Sequence, residues 1–219
     1  MAYKTFQPST EWTPPDIFPT QKLRDADEIA VDLETRDPNL KSKGPGYIRD
    51  DGEIVGVSVA CDGYADYFPF AHEAGFNFPK KRVLQFVKDV VSGDNDKVFH
   101  NAMYDVGWLR QAGVEVKGRI VDTMVVAPLI NENMYWYTLN SLGIEYLQEG
   151  KSEAELKQAA EEWGVDPKAE MWRLPSAYVG TYATQDAALT LKLWNHFKIH
   201  LEDQNLWTIF KGNGKRIRN

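Results

Sequence analysis

Two strand-like segments separated by a short turn constrain the fold of this chain more than any other feature. Residues 54–60 alternate between apolar and polar positions, and Cys61-Asp62-Gly63-Tyr64 is typical of a turn that leads into another strand at residues 65–70. A connection this short joins antiparallel neighbours, whereas parallel strands need a crossover of about a dozen residues or more. The sheet is therefore expected to contain antiparallel pairing, and a plain doubly wound parallel sheet is disfavoured.

The remaining segments alternate between strands and helices. Strands are predicted at residues 28–35, 97–100 and 119–121, and helices from Pro79, after the candidate caps Asn101 and Asp122, at residues 138–147 and 152–163, and at about 180–201. Ser152 and Glu155 have the spacing of a capping box. Because helical crossovers make neighbouring strands parallel, this order indicates an α/β fold with a mixed five-stranded sheet flanked by helices.

One large domain with two short appendages is expected. Residues 1–25, with several prolines, are predicted to form an irregular N-terminal arm, residues 26–210 the main domain, and residues 211–219 a basic C-terminal tail. No apolar run approaches the ~18 residues of a membrane span, and no signal segment is present. The single cysteine, Cys61, fits a reducing compartment. We therefore expect a cytoplasmic protein without a membrane partner.

Net charge does not decide whether the partner is a nucleic acid. The formal charge of −7 is unfavourable for contact with phosphates, but a site built from carboxylates is acidic by construction, and bound metal ions reverse its local sign. Lysines and arginines also cluster within residues 41–49, 80–82 and 211–219. Such clusters equally suit ordinary solvated surface, so charge leaves the question open.

Four carboxylates and a tyrosine stand where the predicted elements would bring them together. Asp32 and Glu34 lie two apart on the first strand and point to one face, and Asp105 lies in the first turn of a helix that follows a neighbouring strand. Tyr182 and Asp186 share one face of the last helix. Taken alone, each has an ordinary alternative: exposed acids at a strand end, an acid favoured by the helix dipole, or a solvated aspartate beside a packed tyrosine. Together they indicate a metal site.

The chemistry of these ligands favours a particular reaction. They are hard oxygen ligands, which bind Mg²⁺ or Mn²⁺ in preference to zinc. Two such ions about 3.5–4 Å apart stabilise both the attacking and the leaving oxygen atom of an in-line displacement at phosphorus. The hydroxyl of Tyr182 is placed to orient or deprotonate the attacking water. The residues therefore favour cleavage of a phosphodiester.

The motifs resemble those of DEDD-type 3′–5′ exonucleases. The patterns Asp-x-Glu-Thr, Asn-x3-Asp and Tyr-x3-Asp stand at Asp32/Glu34/Thr35, Asn101/Asp105 and Tyr182/Asp186, and further similarity covers residues 137–142 and 170–175. Over roughly residues 29–210 the chain is similar to the proofreading domain of bacteriophage family A (polymerase I-like) DNA polymerases. Thr181 stands where the histidine branch has its general base, so Tyr182 indicates the tyrosine branch (DEDDy).

This resemblance implies a ribonuclease H-like (DnaQ-like) fold with strand order 3-2-1-4-5 and one antiparallel strand. It implies that two Mg²⁺ or Mn²⁺ ions are held by Asp32, Glu34, Asp105 and Asp186, and that Tyr182 completes the catalytic set. It also implies contacts to the terminal nucleotide from Leu33, Thr35, Asn101 and Tyr104, although Leu33 and Tyr104 also suit simple packing. The implied activity releases nucleoside 5′-monophosphates from single-stranded DNA 3′ ends during replication or repair, with a separate DNA polymerase subunit as a further candidate partner.

Several alternatives stay open. Trimming of RNA 3′ ends, as in tyrosine-branch ribonucleases, and a non-catalytic module docked on a polymerase both fit the motifs. Fingers and palm segments are lacking, so we do not expect polymerisation, and a free-standing exonuclease, one half of a split polymerase and an excised domain are all consistent with the chain. His196 and His200 have zinc-like spacing without the glutamate of that motif. Asp122 suits a helix cap better than a fifth metal ligand.

Overall fold

The structure is a computed structural model that describes residues 10–211. Within these residues the strands are β1 (Glu28–Arg36), β2 (Glu53–Cys61), β3 (Tyr64–Pro69), β4 (Asp96–Phe99) and β5 (Ile120–Asp122). The helices are α1 (Thr20–Asp25), α2 (Leu40–Lys43), α3 (Lys80–Val91), α4 (Ala102–Gln111), α5 (Thr123–Ile130), α6 (Leu139–Leu147), α7 (Ala154–Trp163), α8 (Ser176–Asp203) and α9 (Trp207–Phe210). Short 3-10 turns cover Gly46–Ile48 and Met171–Arg173.

The strands form one mixed sheet in the order β3-β2-β1-β4-β5. Strand β2 runs antiparallel to both of its neighbours, whereas β1, β4 and β5 are parallel. The turn between β2 and β3 places Gly63 at φ +63°, a conformation that favours glycine. The predicted strand order with one antiparallel strand is confirmed, because the short turn fixes the hairpin and α3 and α4 provide the crossovers.

Helices cover both faces of the sheet. Neighbouring residues of β1 point into different hydrophobic clusters, as expected from the two-residue period of a strand. Val31 packs with Phe86 of α3 and Trp108 of α4 on one face. Ala30 packs with Trp194 of α8 on the other face. Asp32 and Glu34 follow Ala30 at intervals of two residues along β1, and they therefore point to the same face as Ala30, toward α8.

Helix α8 spans 28 residues and crosses β1, β2, β3 and β4. It begins at Ser176, directly after Pro175, rather than near residue 180 as predicted. The buried Trp194 donates its Nε1 proton to Glu28 Oε2 at 2.7 Å and so fixes α8 to the start of β1. The earlier turns of α8 consequently lie over the second half of β1, where the acidic residues stand.

The predicted irregular arm is in part helical and is packed on the domain. Residues 20–25 form α1, which corrects the predicted structure of this segment: its Leu23 is fully buried in the core, and packing overrides the weak local signal. Phe18 packs edge-on against Phe86 with ring centroids 5.1 Å apart. Thr10 Oγ1 donates to a carbonyl oxygen of α8 at 2.9 Å.

The predicted capping box at Ser152 is wrong. Helix α7 begins at Ala154 with Glu153 at the N-cap position and no side-chain cap. The backbone N–H of Ser152 donates to Gln185 Oε1 at 2.8 Å, which draws the residue toward α8 and away from the helix start. A tertiary hydrogen bond has therefore replaced the local one.

Residues 1–9 and 212–219 lie outside the described residues, so most of the predicted basic tail is untested. Within residues 10–211, no helix is both long and apolar enough to cross a membrane.

Candidate active site

The central strand β1 carries the first two predicted metal ligands. Asp32 and Glu34 face α8, and β2 presents the small residues Ser58 and Gly56 opposite them. A Cβ atom at Gly56 would lie 2.1 Å from a neighbouring tyrosine hydroxyl. The pairing with β2 also shifts register between Glu34 and Thr35, and such bulges re-aim side chains beside functional sites. This end of β1 is thus shaped to hold two half-buried carboxylates.

Helix α8 brings Asp186 to the same place. One carboxylate oxygen from each of Asp32, Glu34 and Asp186 lies within 4.8 Å of the others. Asp186 is 4% exposed, and its Oδ1 has no hydrogen-bond partner among the described residues. A buried carboxylate oxygen without a donor is costly unless a cation binds it. The residues therefore fit the predicted divalent-ion site.

The fourth predicted ligand, Asp105, is adjacent to this group without belonging to it. It is 4% exposed in the first turn of α4, and its Oδ1 accepts the backbone N–H of Leu33 at 3.1 Å. The pairing of β1 with β4 reaches only Ala30, so the Leu33 N–H needs another acceptor. Asp105 thereby fixes the backbone between Asp32 and Glu34.

Burial raises the pKa values of all four carboxyl groups, and repulsion among them adds to the rise at Asp32, Glu34 and Asp105. Burial, followed by the charge of Asp186, raises the pKa of Asp32 from 3.8 to about 7. Burial is also the first cause at Glu34, Asp105 and Asp186, and the charge of Asp32 adds to the rise of the pKa at Glu34 and Asp105. Ionised carboxylates this close together need a positive partner.

A lysine that the sequence analysis did not single out lies among these groups. Lys151 Nζ donates to Asp186 Oδ2 at 2.5 Å and to the Tyr182 hydroxyl at 3.3 Å. Its charge lowers the pKa values of Asp32, Glu34 and Asp186, against the larger effect of burial. Sequence spacing carries no signal for it, because 31 and 35 residues separate it from these two partners on α8.

A cavity of about 420 Å³ opens beside the carboxylates, within the size range of small-molecule sites. The four residues predicted to contact the terminal nucleotide all line it: Leu33, Thr35, Asn101 and Tyr104. Glu34 and Tyr182 connect it to the metal-compatible group. The lining residues that were not predicted are Leu40, Pro45, Tyr47, Met103, Lys168 and Met171. Pro45 and Lys168 lie in loops, and Tyr47 and Met171 lie in short 3-10 turns, where residue periodicity gives no indication of direction.

The hydroxyl of Tyr104 fixes one wall of the cavity. It donates to Asp37 Oδ2 at 3.1 Å and lies 2.8 Å from Thr35 Oγ1. Asp37 also accepts a backbone N–H from the loop after β1 at 2.9 Å. Tyr47 of this loop packs on Gly107 of α4, where a Cβ atom would lie 2.3 Å from the tyrosine ring. The loop therefore folds over the cavity.

The start of α4 is capped differently from the prediction. Asn101 has φ +73° and makes no side-chain cap; Asp122 accepts the N–H groups of Asn101 and Ala102 at 3.0 and 2.8 Å. Asp122 also accepts the N–H of Met124 at 2.9 Å, so the prediction that it caps α5 is confirmed. One carboxylate thus caps two helices and leaves the Asn101 side chain at the cavity.

The two histidines with zinc-like spacing contact each other. Their Nε2 atoms lie 3.0 Å apart on α8, and both rings pack against Tyr146. His196 and His200 thus pair with each other on a later part of α8 than Asp186.

Comparison with known proteins identifies the family. A family model described as 3′-5′ exonuclease matches residues 19–202, most of the chain. The chain belongs to this 3′–5′ exonuclease family. Membership implies use of a divalent metal ion, in agreement with the group formed by Asp32, Glu34 and Asp186.

Phage DNA polymerases contain segments similar to this chain. The chain is 35% identical over 216 residues to a DNA-directed DNA polymerase of Pseudomonas phage M6. The aligned region covers 95% of this chain and 32% of that protein. It is 29% identical over 202 residues to the DNA polymerase DpoZ of Salmonella phage PMBT28. This aligned region covers 89% of this chain and 30% of that protein. The chain therefore spans about a third of the length of these relatives.

Solved structures confirm the predicted ribonuclease H-like exonuclease fold. RNase D of Trypanosoma brucei superposes with a TM-score of 0.61 at 20% identity, covering 81% of this chain and 59% of that chain. Brucella melitensis NrnC with bound Mg²⁺ superposes with a TM-score of 0.60 at 19% identity, covering 85% and 79%. At these identities the likeness concerns the fold alone.

Proposed function

We propose that this exonuclease domain is a metal-dependent 3′–5′ exodeoxyribonuclease that hydrolyses the terminal phosphodiester of single-stranded DNA and releases nucleoside 5′-monophosphates. The observation that carries the proposal is the convergence of Asp32, Glu34 and Asp186 beside a cavity of about 420 Å³. DNA is favoured as the substrate because a phage DNA-directed DNA polymerase is 35% identical to the chain. For the same reason a DNA polymerase, in the same chain or as a separate subunit, is the proposed partner.

The proposed metal holders are Asp32, Glu34, Asp105 and Asp186, with two Mg²⁺ or Mn²⁺ ions. Such ions, when bound, activate water and stabilise charge on the attacking and leaving oxygen atoms. Asp105 has a second role. Its hydrogen bond from the Leu33 N–H fixes the backbone between Asp32 and Glu34 and so holds these two carboxylates in position. The raised pKa values of these groups support the assignment, since a divalent cation offsets the repulsion that raises them.

Tyr182 is proposed to orient the attacking water. Burial, followed by the charge of Asp186, raises the pKa of the Tyr182 phenol far above its ordinary value of 10.0. The hydroxyl therefore keeps its proton at neutral pH and is available as a hydrogen-bond donor. In the absence of bound ions, this protonated hydroxyl suits an orienting role.

The terminal nucleotide is proposed to lie against Leu33, Thr35, Asn101 and Tyr104. Leu33 and Tyr104 offer apolar and aromatic surface, and Thr35 and Asn101 offer polar atoms. Aromatic contacts to a splayed base tolerate any sequence, which suits trimming that does not depend on the base removed. A base within a duplex would first have to unstack, so single-stranded and mismatched ends are the expected substrates.

Oligonucleotides labelled at either end test this function. With Mg²⁺, a 3′-labelled DNA strand should lose its label at once as a mononucleotide, and a 5′-labelled strand should shorten stepwise. Chelation with EDTA should stop both reactions. Matched RNA and blunt duplex DNA are expected to react more slowly, and an Asp32→Asn/Asp186→Asn variant controls for contaminating nuclease. Full activity in EDTA, or release of label from the 5′ end first, would contradict the proposal.

A further inference from the structure

The loop between α6 and α7 places a positive charge inside the carboxylate group. Lys151 Nζ lies 2.5 Å from Asp186 Oδ2 and 3.3 Å from the Tyr182 hydroxyl, and it sits 5.0 Å from the centre of the Tyr182 ring. The Lys151 side chain is only 13% exposed. Lys151 is therefore held within the carboxylate group, unlike a surface lysine that is surrounded by solvent.

The backbone around this lysine is fixed from both sides. The N–H of Lys151 donates to Asn140 Oδ1 of α6 at 2.8 Å. Gln185 of α8 accepts the N–H of Ser152 at 2.8 Å and donates to the carbonyl oxygen of Gly150 at 3.2 Å. The loop is thus held to the two helices that flank the site. Only the flexible four-carbon side chain of Lys151 is free to change position.

The ammonium group and a divalent ion would occupy neighbouring oxygen atoms of the same carboxylate. Asp186 Oδ2 is bonded to Lys151, and Asp186 Oδ1, which is buried without a partner among residues 10–211, is the oxygen atom open to an ion. An ion held by Asp32, Glu34 and Asp186 would lie within a few ångströms of Nζ, because the three carboxylates are within 4.8 Å of one another. Like charges at that separation in a partly buried site repel strongly.

We propose that Lys151 is a resident counter-cation of the carboxylate group, which divalent ions must displace from Asp186, so that this lysine sets the ion concentration the site requires. The inference rests on the proposed metal-dependent function. The anchored loop supports it, because the exchange requires only a side-chain rotation. Lys151 is then a positioning residue: it holds the acidic site together when no divalent ion is bound.

Direct measurement of Mn²⁺ binding in the absence of DNA tests the proposal. Lys151→Met removes the competing charge and should lower the Kd for Mn²⁺ by about tenfold or more, equivalent to about 1.4 kcal/mol. Lys151→Gln keeps a hydrogen-bonding group near Asp186 without the charge and should bind Mn²⁺ more tightly as well. If Lys151→Met folds poorly, the affinity of Lys151→Gln for Mn²⁺ tests the proposal in its place. Lys88→Met, on the exposed face of α3, is the matched control and should leave the Kd unchanged.

Thermal midpoints separate this role from a purely structural one. In EDTA, Lys151→Met should melt below wild type, because it leaves buried carboxylates without a counter-charge. With saturating Mn²⁺ the difference should shrink or vanish, since the tighter-binding variant gains more from the ion. An equal loss in both conditions, or Mn²⁺ affinity no tighter than wild type in both variants, would overturn the proposal.

The same titrations show which proposal has failed. Asp186→Asn should lose Mn²⁺ binding if the metal site is correctly placed. If wild type binds no Mn²⁺, or Asp186→Asn binds it normally, the metal site itself is wrong. If these two proteins behave as expected and only the Lys151 variants do not, the metal site stands and the role of Lys151 fails.

Discussion

Asp32 is a residue whose ionisation opposes folding when no cation is bound. Burial and the charge of Asp186 raise its pKa from 3.8 to about 7 in the folded protein. Between these two pH values the folded chain binds more protons than the unfolded chain. The stabilising contribution of this carboxyl group is therefore fully present below pH 3.8 and is lost as the pH rises through about 7.

Replacing Asp32 with asparagine should therefore stabilise the protein in EDTA, and increasingly so as the pH rises. We expect the gain in Tm to grow between about pH 4 and pH 7 and then level off, with about 2–4 °C for each kcal/mol in a domain of this size. Melting curves of Asp32→Asn and wild type at pH 4.5 and pH 8 check this. With Mg²⁺ the advantage should disappear, because the variant has lost a ligand. A gain no larger at pH 8 than at pH 4.5 would argue against the raised pKa.

Asp186 and Tyr182 should separate metal binding from water orientation. Asp186→Asn is expected to lose on the order of 10³-fold or more in rate, because the ions that stabilise the transition state lose a ligand. Tyr182→Phe removes only a hydroxyl and should lose roughly 10²-fold, the lower end for orienting or proton-transfer groups. Single-turnover rates with labelled DNA give both numbers. Equal losses, or loss of Mn²⁺ binding in Tyr182→Phe, would place the tyrosine among the metal ligands.

At the scale of secondary structure, connection length made the sheet predictable. The hairpin at Gly63 and the helical crossovers indicated a mixed sheet, and the resemblance to DEDD-type exonucleases implied its strand order, which the structure has. The two-residue period of a strand also placed Asp32 and Glu34 on one face of β1, and the spacing of four residues placed Tyr182 and Asp186 on one face of α8. The position of Lys151 and the second cap made by Asp122, at the start of α4, were not predictable, because both depend on tertiary hydrogen bonds. Helix α1 was missed because burial of Leu23, and not local propensity, decides it.

Helix α4 and the loop after β1 should act together on substrate binding. Gly107→Ala would place a methyl group 2.3 Å from the Tyr47 ring and push this ring away from α4, which displaces part of the cavity wall. We expect a several-fold rise in KM for single-stranded DNA with a smaller change in kcat, because three of the four proposed metal holders lie on β1 and α8. Tyr47→Ala should have a similar effect, and the double variant should be no worse than either single one. Additive effects would mean that Gly107 acts through another contact.

At the scale of the whole molecule, the N-terminal segment wraps around the edge strand β3. Trp12 packs near Tyr67 on the α8 side of this strand, with ring centroids 6.1 Å apart. Phe18 packs against Phe68, the next residue of the strand, on the α3 side at 5.0 Å. Exposed edge strands invite pairing with other chains, and covering them is a common protection. Residues 10–19 therefore belong structurally to the domain and join its two helical layers.

Displacing residues 10–19 from the domain should lower its stability. A Cβ atom at Gly180 would lie 2.0 Å from the Trp12 ring, so Gly180→Ala should expel the tryptophan from α8. Trp12→Ala removes the same contact from the other side, and truncation of a well-packed tryptophan costs about 3–5 kcal/mol, with less expected for this half-buried one. Both variants should melt lower than wild type and be cleaved faster by protease within residues 10–19, as limited proteolysis with mass spectrometry would show. The double variant should lose little more than either single one, because both substitutions break one contact. If residues 10–19 stayed protected in Gly180→Ala, other contacts, such as those of Phe18 and Thr10, would hold the segment, and the closure of the β3 edge would not depend on the Trp12 contact.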